Sequence, residues 1–214
     1  MEENQLNSIP LPDKPATEIL LIGGSAGSIS VLLEIIPQLD KELSFPVIII
    51  LHRKAHPESN LSELLQFHSS LPLFEVEDKM ILNNGCIYLA PADYHLLLEN
   101  KGQIALDSSE KINYSRPSID VSFQSAAVLF KQHTAGLLLS GANADGMEGL
   151  RCIEQYKGLV LVQDPVSAEF GYMPKQTLLN LEADAVLKPA QMAFFINRLN
   201  KKSNLNELLL YNFI

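Results

Sequence analysis

The 214-residue sequence predicts an α/β fold: a doubly wound, mainly parallel sheet with helices on both faces and a small antiparallel excursion in the middle. Three observations predict it. Short, continuous apolar runs such as Ile19–Ile22, Val47–Leu51 and Ala135–Leu139 recur, as strands buried on both faces require. Segments with apolar residues at helical spacing separate them. Between about residues 70 and 110 the runs shorten, and the turn sequences Asn83-Asn84-Gly85 and Asn100-Lys101-Gly102 punctuate them.

Residues 1–17 carry Pro10, Pro12 and Pro15 and few large apolar side chains, which predicts an extended leader. A single domain is expected over 18–200 and a tail over 201–214. The first strand, Ile19–Ile22, leads into a helix marked by Ile29, Leu32, Leu33 and Ile36. Val47–Leu51 is a second buried strand, ending at His52. Asn60 with Glu63 reads as a capping-box-like helix start before Leu61, Leu64, Leu65 and Phe67. Leu73–Val76, Cys86–Leu89, His95–Leu98 and Gln103–Leu106 are strand candidates for the antiparallel excursion. Ser118 is a candidate N-cap for a helix reaching about Lys131. The strand Ala135–Leu139 is followed by the loop Ser140–Gly146 and a helix from about Met147. Leu159–Gln163 is the next strand, Pro174 can open a helix to about Leu181, Ala185–Leu187 is a short strand, and Pro189 can open the last helix.

Composition narrows the function. A hydrophobic share of 47% predicts a packed core, and a net charge of −9 argues against nucleic acid or anionic lipid as partner. No apolar stretch reaches the roughly 18 residues of a membrane-spanning helix, and the acidic start Met-Glu-Glu-Asn-Gln is unlike a secretory signal. Cys86 and Cys152, far apart in apolar segments, read as small buried hydrophobes in a reducing cytoplasm.

Chemistry in such sheets collects on the loops after the carboxyl ends of the strands. Three loops there carry reactive side chains: Gly23–Ser28 with Ser25, the loop beginning at His52, and Ser140–Gly146 with Asp145. Ser25 suits a nucleophile, His52 its general base, and Asp145 the group that fixes the imidazole tautomer. Gly23-x-Ser25-x-Gly27 has nucleophile-elbow spacing, and a hydroxyl at a helix start lies near free N–H groups. Each residue alone also has an ordinary reading, as a small-residue turn, a strand-end polar cap and a turn aspartate. A phosphate cradle fits less well: the G-x-x-x-x-G-K-[ST] pattern is absent, and Ser25 takes the second Gly of G-x-G-x-x-G. The order Ser…His…Asp also differs from that of the α/β-hydrolases. His52 and His56 lack the glutamate of a zinc helix motif, His95 is isolated, and His68 and His133 read as surface residues.

The stretches "IGGSAGS", "LHRK", "YLAPADYHL", "RPSIDVSF", "LLLSGANADGMEGL" and "MPKQTL", in that order, give the chain a resemblance to the catalytic domain of the chemotaxis protein-glutamate methylesterases, the CheB family. It covers about Ile19 to Leu199. The resemblance implies a serine hydrolase that removes methyl groups from glutamyl esters of chemoreceptors and can deamidate glutamines, with Ser25, His52 and Asp145 as triad. It implies oxyanion donors near Ala26 and Ala142, a cleft lined by Arg116, and no metal or organic cofactor. The implied partners are methyl-accepting receptors, and the implied location is the cytoplasm. Departures from the family pattern are Ala26 for a frequent Thr, Ser28 for Gly, Arg53-Lys54 after the histidine, Ala142 for a frequent Met, and Tyr172 before Met173-Pro174. The few residues before the first strand leave no room for the phospho-receiver domain of many members, so a stand-alone enzyme or a separate regulatory partner is expected. A non-catalytic scaffold of the same fold, or a hydrolase of another ester, are the competing expectations.

Overall fold

The computed structural model describes residues 9–53 and 60–200. A seven-stranded, all-parallel sheet has the order β3-β4-β2-β1-β7-β8-β9, and a two-stranded antiparallel hairpin, β5-β6, stands beside it. The strands are β1 (Ile19–Gly24), β2 (Val47–Leu51), β3 (Leu73–Glu75), β4 (Ile87–Leu89), β5 (His95–Asn100), β6 (Gln103–Asp107), β7 (Thr134–Leu138), β8 (Leu159–Gln163) and β9 (Ala185–Leu187). The helices are α1 (Ser28–Ile35), α2 (Leu61–His68), α3 (Ile119–Phe130), α4 (Met147–Gln155), α5 (Tyr172–Asn180) and α6 (Pro189–Arg198).

Alternation along the buried strands divides the core in two. Leu20 and Ile22 of β1, with Val47 and Ile49 of β2, pack under Leu32 and Ile35 of α1 and Phe195 and Ile196 of α6. Ile19 and Leu21, with Ile48 and Ile50, face Ile119 and Phe123 of α3, Leu150 and Ile153 of α4, and Met173 of α5. Both faces being covered explains why β1, β2, β7 and β8 read as unbroken apolar runs. The double winding is therefore as the sequence predicts.

The excursion is smaller than predicted. The runs at 73–76 and 86–89 are not part of it: they form β3 and β4, parallel strands of the main sheet, and only β5 and β6 pair antiparallel. Three-residue strands carry too little periodicity to reveal their direction. Asn60 stands at the N-cap of α2 without a side-chain capping bond. Helix α5 begins at Tyr172, two residues before Pro174, because Gly141 O accepts the Met173 N–H (3.0 Å) and draws the chain into the helix earlier. The exposed Ile29 lies off the buried face of α1, which Val31, Leu32 and Ile35 form. Residues 9–17 lie against the domain: Ile9 and Leu11 pack on the α6 side of the core, and Lys14 pairs with Asp184 at 3.1 Å. Cys86 and Cys152 are free thiols, half-buried against the α3 side. His56 and the tail 201–214 lie outside the described residues.

Candidate active site

Strands β2, β1 and β7 are neighbours, so the loops after them open side by side at the carboxyl edge of the sheet. Gly24 pairs with Leu51, and His52 N–H donates to Gly24 O at 3.1 Å, which puts Ser25 and His52 on adjacent strand ends. Adjacent strands lie about 4.8 Å apart.

The turn carrying Ser25 is tightly held. The Ser25 N–H is shared between Ser140 O (2.9 Å) and Ser28 Oγ (3.0 Å). Ser28 Oγ donates in turn to Ser140 O at 2.7 Å, and Ser140 Oγ donates to Ala26 O at 2.7 Å. Gly27 must be glycine: its φ is 79°, and a Cβ there would stand 2.7 Å from both Glu169 Cβ and Ser140 Oγ. Ser28 supplies a buried hydroxyl that ties the turn to the loop after β7. The Ser25 hydroxyl makes no hydrogen bond among the described residues, and neither do the N–H groups of Ala26 and Ala142.

Asp145 is fully buried. Its Oδ2 accepts from His52 Nε2 (2.7 Å) and from Ile119 N–H (2.8 Å). Its Oδ1 accepts from Ser118 Oγ (3.0 Å), Asp120 N–H (3.0 Å) and Gly146 N–H (3.1 Å). The carboxylate therefore sits on the N-terminus of α3, whose first free N–H groups favour an anion. Burial alone would push the Asp145 carboxyl up, but the bonds from His52, Asp120 and Ile119 outweigh it and hold the group below the usual carboxylate range. Ser118 is the N-cap predicted for this helix, and its Oγ also accepts from Val121 N–H at 3.5 Å. His95, buried behind it, takes the Ser118 N–H on Nδ1 (3.1 Å) and reaches Glu110 O with Nε2 (3.0 Å), a structural role for that histidine.

With Nε2 turned to a carboxylate, His52 carries its proton there, which leaves Nδ1 as acceptor. That acceptor faces Asn143 Nδ2 at 3.2 Å, while Asn143 Oδ1 takes the Asp145 N–H at 3.2 Å. Sequence reasoning passed over Asn143; its position two before the aspartate on a strand-end loop was the available signal. A neighbouring carboxylate, Asp120, has a different task. Asp120 Oδ1 accepts from Gly146 N–H (2.9 Å) and Gly149 N–H (2.7 Å), capping α4, and does not touch His52. Burial first, and the Asp145 charge second, push its carboxyl up to about 7. Arg116 and His52 line one cleft of about 370 Å³. No group of His, Cys, Asp or Glu side chains among the described residues could hold a metal ion, and none of the helices described is long and apolar enough to cross a membrane.

Comparison with known proteins bears on this arrangement. The profile of the CheB methylesterase family matches residues 20–196. A Leptospira interrogans protein is 34% identical over 186 residues, covering 87% of this chain and 96% of the relative. The protein-glutamate methylesterase/protein-glutamine glutaminase of Thermotoga maritima is 34% identical over 179 residues, covering 81% of this chain and 52% of its own length. The crystal structure of the Thermotoga maritima CheB methylesterase catalytic domain superposes with a TM-score of 0.81 at 31% identity, over 86% of this chain and 100% of that one. By sequence and by fold, the chain belongs to the CheB methylesterase family.

Proposed function

We propose that the protein is a serine hydrolase that demethylates glutamyl methyl esters on chemoreceptors, with Ser25 as nucleophile, His52 as general base and Asp145 as the orienting acid. The observation that carries the reading is the 2.7 Å bond between His52 Nε2 and the buried Asp145, on the strand end next to Ser25. Family membership, and the names of relatives such as the Thermotoga maritima protein, support the ester and its protein carrier.

Ser25 Oγ attacks the ester carbonyl while His52 Nδ1 takes its proton. Asp145 keeps the other ring proton on Nε2 and stabilises the imidazolium. For the serine proton to reach Nδ1, the Asn143 amide gives way. The N–H groups of Ala26 and Ala142 are the available donors for the tetrahedral oxyanion, since the Ser25 N–H is already engaged. His52 then protonates departing methanol. A water that it deprotonates releases the glutamate and restores Ser25. The same acyl-enzyme forms from a glutaminyl side chain if ammonia leaves instead. The residues present need no cofactor for this chemistry. The two free thiols suit a reducing, cytoplasmic setting. Incubation with methylated receptor tests the reading: methanol release by the wild type and its loss in Ser25→Ala are expected, and a wild type as inactive as Ser25→Ala would overturn it.

A further inference from the structure

The cleft beside His52 is rich in positive charge on a chain whose net charge is −9. Arg53, Lys111 and Arg116 line it, with Asp93 as one carboxylate. Arg53 is paired with Glu75. Arg116 is held differently: its Nη1 donates to two backbone carbonyls, Ser108 O and Ser109 O, each at 2.6 Å. Carbonyls fix the guanidinium but do not neutralise it. Among the described residues neither Arg116 nor Lys111 forms an ion pair. Bonds from Ser109 first, and the Arg116 charge with them, hold the Asp107 carboxyl low, and Asp93 is the one carboxylate that faces the two cations within the cleft lining.

The segment joining the two cations is built to hold a shape. Ile112 and Ser115 exchange backbone bonds (3.2 and 2.9 Å) around a two-residue turn with φ 50° at Asn113 and 63° at Tyr114. A left-handed conformation at a bulky tyrosine is costly and concentrates at working sites. Here it sets Tyr114, 99% exposed, on the rim of the cleft, between Lys111 and Arg116.

We propose that this cleft is a carboxylate-recognition subsite, in which Arg116 and Lys111 hold an acidic side chain that neighbours the scissile ester on the substrate polypeptide. The proposal rests on the methylesterase reading. A polypeptide whose ester reaches His52 passes over this rim, and the anion it can offer there is an Asp or Glu carboxylate. A guanidinium clamped in advance binds that group with charge-assisted bonds at little entropic cost.

The test is calorimetric binding of two peptides to the full chain carrying Ser25→Ala. Both contain a glutamyl γ-methyl ester; one has Glu and the other Gln as the residue next to it. The Glu peptide is expected to bind about tenfold tighter. Arg116→Gln, and separately Lys111→Gln at the exposed rim, are expected to bring the ratio towards one, as is 0.5 M salt, well above the ionic strength at which surface charges are screened. Equal affinities for the two peptides, or a preference that survives both substitutions, would overturn the proposal. These ratios do not depend on turnover. Absence of ester cleavage by the Ser25 enzyme strikes the methylesterase reading instead, so the two failures are told apart.

Discussion

Asp145 and Asp120 cap each other's helices. Asp145 accepts the Ile119 and Asp120 N–H groups at the start of α3, and Asp120, from within that first turn, accepts the Gly146 and Gly149 N–H groups at the start of α4. Two buried carboxylates thus lock the helices that frame the acid end of the site. They divide the charge between them: Asp145 is held below the usual range, and Asp120 is pushed up to about 7.

That division has a sign in stability. Asp120 binds its proton more tightly folded than unfolded, where its value is near 3.8. Its contribution is therefore fully present below about pH 4 and is lost as pH rises through about 7. Asp145 acts oppositely: its contribution is present above its unfolded value of 3.8 and is lost only as pH falls through its lower folded value. Between pH 5 and 8 the Asp120 effect stands alone in this pair. Urea unfolding should show a smaller drop in stability from pH 5 to pH 8 in Asp120→Asn than in wild type, since the amide oxygen still caps α4. An unchanged drop would show that Asp120 is already ionised at pH 5.

Replacing Asp145 tests the orienting role. Asp145→Asn keeps an oxygen for the α3 N–H groups but loses the anion that holds the His52 tautomer. Turnover of the methyl ester is expected to fall by about 10³-fold or more, with near-wild-type circular dichroism. The paired control is Asp120→Asn, whose carboxyl does not contact His52; a larger loss there than in Asp145→Asn would reassign the triad.

The two serines of the opening turn should separate function from stability. Ser25 Oγ has no partner among the described residues, so Ser25→Ala should shift unfolding by no more than about 0.5 kcal/mol while abolishing turnover. Ser28 Oγ is buried between the Ser25 N–H and Ser140 O, and Ser28→Ala should cost about 1–3 kcal/mol. Thermal melts of both variants measure the contrast.

Much of this was legible in the sequence, for particular reasons. β1, β2 and β7 are buried on both faces, so their apolar runs were unbroken, and their order put Ser25, His52 and Asp145 on one edge. β3 and β4 were recognisable as strands, yet not as members of the parallel sheet, because their pairing with β2 depends on contacts far away in sequence. The capping exchange between Asp120 and Asp145 was hidden for the same reason: its bonded partners lie 25 and 26 residues apart in sequence. Asn143 gave no periodicity, and although it lies within the stretch "LLLSGANADGMEGL" nothing in that stretch assigned it a role; only the folded loop turns its amide to His52.

Asn143 carries a prediction of its own. Its amide holds His52 Nδ1, the nitrogen that accepts the serine proton in the proposed mechanism. Relieving a hydrogen bond of about 0.5–1.5 kcal/mol should let Asn143→Ala react two- to tenfold faster with a small serine-directed phosphonofluoridate. A slower reaction would mean that the amide orients the ring more than it occupies it.

In the proposed mechanism Ser25 is the nucleophile activated by the His52–Asp145 pair. Peptide mapping after treatment with a phosphonofluoridate tests it most directly. A single adduct on Ser25 is expected in the wild type, formed at least a hundredfold more slowly in Asp145→Asn. An adduct on another serine, or full methyl-ester turnover by enzyme in which Ser25 has been replaced by alanine, would contradict it.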